Sequence, residues 1–88
     1  MPTFRYVVHG RVQGVGYRYF VMRAAASLRV TGFARNMPGG SVEVVAEGSE
    51  DSLAELEARL REGPAFADVW HVERLPLEPR GDEGFHIR

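Results

Sequence analysis

The stretch TFRYVVHGRVQGVGYRYF, Thr3 to Phe20, carries three successive signals that indicate how the chain folds. Residues 3–10 alternate between apolar and polar side chains, which is typical of a strand with one buried face. Glycines then follow at positions 10, 14 and 16. From Tyr17 onward the apolar spacing becomes helical, so the chain is predicted to pass from a strand through a glycine-rich turn into a helix.

The rest of the chain continues with the same two periodicities. They predict, in order, a helix over residues 17–28, strands over 30–36 and 41–48, a helix capped by Ser49 and ended by Gly63-Pro64, a bulged strand over 67–79 and a short strand over 84–88. The order β-α-β-β-α-β plus a terminal strand predicts an α+β, ferredoxin-like split βαβ sandwich, with both helices on one face of a mixed sheet.

Several side chains have expected positions in this arrangement. Alternation places Glu43 and Glu47 on the solvent face of the third strand and turns Ile87 inward on the last one. Trp70 is expected to pack in the core or at a sheet edge. No glycine follows the first helix, so Arg29 is expected to end it, with some left-handed strain.

Composition narrows the function classes. Eighty-eight residues suffice for one modest core, so we expect a single domain over residues 1–88, with nothing that demands more than a monomer. The absence of cysteine excludes disulfides, thiolate zinc sites and cysteine nucleophiles, and it fits a cytoplasmic protein. No long apolar run or signal peptide is present, so no membrane association is expected. The histidines lack metal-ligand spacing, so no metal is expected.

Charge is distributed unevenly along the chain. Six arginines and no acidic residue precede Glu43, and all twelve acidic residues lie from there onward. This asymmetry indicates an anionic partner near the N-terminal half, although one basic and one acidic surface would also serve solubility. Arg11, Arg23 and Arg35 are interpreted as surface charges that steer anions without contacting them.

The glycine-rich turn has the features of an anion site. Free N–H groups and the dipole at a helix start attract negative charge, and glycines let successive amides converge on one point. Arg18 adds a planar guanidinium that suits phosphate oxygens. The turn is not a nucleotide-binding P-loop, because that motif needs a lysine and the chain has none.

A second polar residue is expected to lie beside this turn. In the predicted topology the first two strands are parallel and are joined by a right-handed crossover through the first helix. Their carboxyl ends therefore lie at the same edge of the sheet. The turn leaves the first strand there, and Asn36 ends the second.

Two separate segments resemble the signatures of the acylphosphatase family: GRVQGVGYR, Gly10 to Arg18, and GFARNMPGGSVEVVAEG, Gly32 to Gly48. The resemblance implies hydrolysis of a small-molecule acyl phosphate, without metal or cofactor. It implies that Arg18 binds the phosphoryl group and that Asn36 holds the attacking water. The backbone amides that would surround the phosphate are those of Val12, Gln13, Gly14, Val15, Gly16 and Tyr17. The Gln13 side chain is expected to brace the turn.

Two alternative functions remain at this point. A ferredoxin-like sheet can bind RNA through exposed aromatic residues on its central strands, or the chain could bind a small anion without catalysis. Against RNA stand the absence of an RNP-type run, a pI near 6.3, and Glu43 and Glu47 at expected exposed positions. The chain could also be a sensor, or a detached module of a larger enzyme.

Overall fold

The computed structural model describes residues 1–88 and contains five strands and two helices. In chain order these are β1 (Thr3–Arg11), α1 (Tyr17–Leu28), β2 (Thr31–Asn36), β3 (Val42–Glu47), α2 (Glu50–Glu62), β4 (Asp68–Leu77) and β5 (Phe85–Ile87). The strands form one sheet in the order β4-β1-β3-β2-β5. Both helices pack on one face of it, which confirms the predicted ferredoxin-like sandwich. Neither helix is long and apolar enough to cross a membrane.

Strand β3 lies between β1 and β2 and is antiparallel to both. Strands β1 and β2 are therefore parallel, as predicted, and their carboxyl ends reach the same edge of the sheet. Strand β5 adds to the outer side of β2 in parallel, with Ala34 opposite Ile87. This topology brings the turn after β1 and the end of β2 to one place.

The core lies between the sheet and the helices. Val8, Val44 and Leu56 are fully buried there. From α1 the buried side chains are Tyr17, Val21, Ala24 and Ala25. The alanines keep this helix close to the sheet, and its exposed residues face solvent or the groove beside α2.

The start of β4 contains the predicted bulge. His9 pairs with His71 and Gly10 pairs with Val69, so Trp70 has no partner on β1. The expectation that Trp70 packs was wrong, because its side chain is 72% exposed. An unpaired bulge residue on an edge strand points away from the pleated face where neighbours would cover it.

Helix α1 ends in a left-handed residue that is not glycine. Arg29 has φ 58° and ψ 39°, as expected. The N–H of Val30 donates to the carbonyl of Ala25 at 2.9 Å, and the N–H of Arg29 donates to the carbonyl of Ala26 at 3.3 Å. These two bonds form a Schellman motif with arginine in the position that glycine usually occupies.

Two side chains differ in their exposure from what alternation predicts. Ile87 is 38% exposed, because it lies on a short edge strand and borders open space at the start of α1. Glu43 is only 6% exposed although it faces away from the helices. Arg5 from β1 and Arg35 from β2 cover it, and each donates a hydrogen bond to one of its carboxylate oxygens.

The charge state of Glu43 follows from these contacts. Burial raises the pKa of Glu43, but the hydrogen bonds from Arg35 and Arg5 outweigh burial and hold that pKa below its usual range. A carboxylate with a lowered pKa in the folded state stabilises the fold above the unfolded pKa, and this stabilisation is lost as the pH falls.

We expect Glu43→Gln to lower the free energy of unfolding at pH 7 by about 2 kcal/mol, because two charged donors lose their ionised acceptor. The difference from wild type should shrink below about pH 4.3, where the unfolded carboxyl takes up a proton. Urea unfolding at pH 7 and pH 3 measures both values. Glu78→Gln, at an exposed residue without a side-chain partner, is the control. A difference that does not depend on pH would contradict the assignment.

Candidate functional site

Helix α1 begins without a side-chain cap. Its N-cap residue is Gly16, no side chain accepts from the first turn, and that turn contains no acidic residue. Helix α2 begins in the opposite way: the Ser49 hydroxyl accepts from the N–H of Ser52 at 3.1 Å, and acidic residues follow it. Helix starts leave N–H groups unpaired, and in α1 no group of the protein satisfies them.

The unpaired donors extend through the turn itself. None of the backbone N–H groups from residue 13 to residue 19 donates a hydrogen bond within the protein, whereas the N–H of Phe20 donates to the carbonyl of Gly16. Gly14 has φ 76° and Gly16 has φ 77°, in the left-handed region that other residues rarely adopt. An added Cβ at either position would meet no atom within 4 Å, so conformation rather than crowding requires glycine there.

A cavity of about 170 Å³ opens at this turn. It contains both side chains to which the sequence analysis gave catalytic roles, Arg18 and Asn36. Its lining residues are Val12, Gly14, Gly16, Tyr17, Arg18, Tyr19, Asn36 and Ile87. The Asn36 side chain is exposed and makes no hydrogen bond within the protein, so its carboxamide is available to a ligand.

Gln13 and Val15, expected among the binding residues, do not line the cavity. The Gln13 side chain turns away from it and donates to the carbonyls of Met37 at 2.8 Å and Ser41 at 2.9 Å. These bonds tie the turn before α1 to the turn that directly follows Asn36. Val15 packs against the core.

The side chains of Val12 and Tyr17 are buried, at 2% and 1% exposure. The Tyr17 hydroxyl donates to the carbonyl of Leu60 at 2.7 Å, which anchors the start of α1 on the end of α2. Burial raises the pKa of Tyr17, so this hydroxyl stays protonated. These residues can therefore present only backbone groups to a ligand.

Strand β5 supplies a contact that the sequence analysis missed. Nη1 of Arg18 donates to the backbone oxygen of Arg88 at 2.7 Å. The N–H of Arg88 donates in turn to the carbonyl of Ala34 at 2.8 Å, which fixes the end of the chain on β2. The sequence carries no signal for this contact, because it joins residues seventy positions apart through a strand of three residues.

The site is electropositive and lacks acid–base groups. Arg18 is its only ionisable lining residue apart from the tyrosines, and no carboxylate or histidine lines it. The protein also contains no cluster of three or more His, Cys, Asp or Glu side chains arranged to hold a metal ion. The arrangement therefore suits binding of a small anion by amide donors and one guanidinium.

The central strands β1, β3 and β2 offer no exposed Phe, Tyr or Trp ring for base stacking on the sheet face opposite the helices. Phe33 on β2 is the one such residue there, and it is only 7% exposed. The guanidinium of Arg88 lies 3.9 Å from the ring centroid of Phe33 and that of Arg80 lies 5.4 Å from it. Base stacking on single-stranded RNA needs an exposed ring. The RNA-binding alternative is therefore not favoured.

The chain is similar to known proteins of one family over nearly its whole length. Residues 4–87 match the family model described as Acylphosphatase. An acylphosphatase of Moorella thermoacetica is 51% identical over 83 residues, which cover 94% of this chain and 89% of that protein. One from Thermus thermophilus is 46% identical over 87 residues and 99% of both proteins. The crystal structure of an acylphosphatase from Bacillus subtilis superposes with a TM-score of 0.97 at 35% identity, over 100% of this chain and 99% of that one.

We expect Gln13→Met to weaken orthophosphate binding severalfold and to lower the free energy of unfolding by about 1–2 kcal/mol, because two backbone carbonyls lose their donor. Methionine keeps the length of the side chain but cannot donate. Urea unfolding and the phosphate-dependent rise in Tm measure the two effects. A Gln13→Met protein with wild-type phosphate affinity would show that the bonds to Met37 and Ser41 do not position the turn.

Proposed function

Because the chain belongs to the acylphosphatase family, we propose that it hydrolyses the carboxyl-phosphate anhydride bond of acyl phosphates to a carboxylate and orthophosphate. Residues 1–88 act as one domain in this proposal. The observation that carries it is the combination of unpaired N–H groups, Arg18 and Asn36 around one small cavity.

The backbone amides from Val12 to Tyr17 surround the phosphate. Their N–H groups have no acceptor in the protein from residue 13 onward, so a phosphate gains hydrogen bonds without displacing internal ones. The dipole of α1 adds partial positive charge at the same point. Most of the binding energy then comes from backbone groups that are already held in place, which limits the entropy lost on binding.

Arg18 neutralises charge on the equatorial oxygens during transfer. A guanidinium has five N–H donors, so the bond to Arg88 orients it and leaves other donors for the phosphate. Phosphoryl transfer needs positioning and charge stabilisation more than covalent chemistry. Arg18 and the amides supply both, which is why we expect no requirement for a metal or another cofactor.

Asn36 holds the attacking water in line with the leaving carboxylate. A carboxamide can accept a hydrogen bond from water and donate another, but it cannot take up the proton. The water oxygen forms a bond to phosphorus, the bond from phosphorus to the acyl oxygen breaks, and the carboxylate leaves with the electron pair. A phosphate oxygen of the substrate takes the proton, since no general base lines the cavity.

A small acyl phosphate is the only partner in this proposal. The protein acts as a monomer in the cytoplasm, without nucleic acid or a membrane. The expected monomer can be checked by sedimentation equilibrium. The expected absence of a metal requirement can be checked by adding EDTA to the activity assay.

We expect Arg18→Ala to reduce kcat/KM for benzoyl phosphate by about 10²–10³-fold, as for other donors that stabilise transition-state charge. It should also weaken inhibition by orthophosphate. Arg11→Ala is the matched control, because Arg11 lies outside the cavity and donates only to the carbonyl of Phe66. Phosphate release in EDTA measures the rates. Equal losses in both variants would contradict the role of Arg18.

We expect Asn36→Ala to lower kcat while orthophosphate inhibits it almost as strongly as wild type. The amide would position water rather than bind the phosphate, so its loss affects turnover and not anion affinity. The same assay gives kcat and the inhibition constant. If the Asn36→Ala protein retains full turnover on benzoyl phosphate, its assigned role is wrong.

A further inference from the structure

A second cavity lies beside the proposed phosphate cavity and is larger than it. It is an open groove of about 530 Å³ between α1 and α2. Apolar walls come from Phe20, Ala24 and Pro64, and cations come from Arg23 and Arg59. No acidic residue lines the groove, so it combines an apolar floor with positive charge.

The two cavities adjoin each other. Gly16 and Tyr19 line both of them, so the groove opens next to the phosphate cavity. They lie on different flanks of α1. At 3.6 residues per turn, Phe20 and Arg18 point about 160° apart around the helix axis. Arg18 faces β5, where it bonds to Arg88, whereas Phe20 faces α2.

In-line chemistry directs the acyl group toward this groove. The attacking water and the leaving oxygen lie on opposite sides of phosphorus. Asn36 ends β2, on the flank of α1 that faces β2 and β5. If water attacks from that flank, the acyl oxygen leaves on the other, where Gly16 opens into the groove.

The two arginines in the groove differ in their contacts within the protein. Arg59 donates to a carboxylate oxygen of Glu55 at 3.3 Å and lies 3.5 Å from the hydroxyl of Ser27. Arg23 makes no hydrogen bond or ion pair within the protein. Its side chain is exposed and its charge has no internal counter-ion. Arg23 is therefore free to form an ion pair with an anion bound in the groove.

Arg23 is also within reach of a bound acyl group. Arg23 lies seven positions after Gly16, a rise of about 10 Å along the helix. Helical side chains tilt toward the N-terminus, so the guanidinium of Arg23 lies closer to the phosphate cavity than its Cα does. An aromatic acyl group that extends from the phosphate cavity toward Arg23 would contact Phe20.

From this arrangement we infer that the groove binds the acyl group of the substrate, and that Arg23 selects acyl groups that carry a second negative charge beyond an apolar spacer. This inference rests on the function proposed above. It makes Arg23 a specificity-determining residue for a subclass of acyl phosphates, and it assigns that residue a direct contact in place of the steering role expected from the sequence.

The test compares 4-carboxybenzoyl phosphate with 4-methylbenzoyl phosphate, which have the same shape but differ in the distal charge. The ratio of their kcat/KM values is measured at low ionic strength for wild type and Arg23→Gln. We expect Arg23→Gln to lower this ratio about fivefold, the effect of losing one exposed ion pair. Arg23→Lys should keep most of the ratio. Comparing the ratio between variants cancels the different intrinsic reactivity of the two acyl phosphates.

Arg61→Gln is the matched control, because it removes the same charge from α2 outside the groove and breaks only an exposed pair with Glu57. An unchanged ratio in Arg23→Gln, or an equal fall in Arg61→Gln, would overturn the inference while activity on 4-methylbenzoyl phosphate still supports the proposed function. If wild type hydrolyses neither compound, the proposed function fails and the inference fails with it.

Discussion

The start of α1 is the constraint on which the site depends. A capping side chain would accept a hydrogen bond from the N–H groups of this helix start, and acidic residues in the first turn would offset its positive charge. Ser49 and the acidic residues after it have these roles in α2. In α1 the position is held by Gly16 in a left-handed conformation. With glycine there, the protein forgoes only roughly a few tenths of a kcal/mol relative to a capping side chain, and it keeps a set of donors for an anion.

Sheet topology turns this helix start into a site with two sides. Because β3 separates the parallel strands β1 and β2, the turn and Asn36 end up at one edge of the sheet. The two hydrogen bonds of Gln13 fix the distance between them. On the other side, β5 presents the backbone oxygen of Arg88 to Arg18. Donors, cation and carboxamide are thus held by three independent backbone attachments rather than by contacts with one another.

The sequence predicts much of this arrangement, because local patterns determine it. Periodicity fixes the order of the elements, the right-handed crossover makes β1 and β2 parallel, and the lack of glycine after Leu28 leaves Arg29 in the left-handed conformation. The approach of the glycine turn to Asn36 follows from topology alone. Apolar periodicity indicates the direction in which a side chain points. It does not indicate which residues from other segments bury that side chain.

That limit explains the expectations that were wrong or missing. Alternation correctly turns Glu43 away from the helices, but it cannot show that arginines on two neighbouring strands bury it. The exposure of Ile87 depends on the open space that the packing of β5 and α1 leaves beside it. The bond from Arg18 to Arg88 joins the start of α1 to the residue after β5, seventy positions away. The groove beside Arg23 exists only because α1 and α2 pack side by side, which no single segment encodes.

The central claim is that backbone amides at the start of α1, with Arg18, bind the phosphate group. Titration of the ¹⁵N-labelled protein with orthophosphate, followed by amide and arginine side-chain resonances, tests it directly. The account predicts saturable shifts at residues 13–19 and at the Nε–H of Arg18, with little change at the capped start of α2. Shifts confined to other residues, or equal shifts at both helix starts, would contradict it.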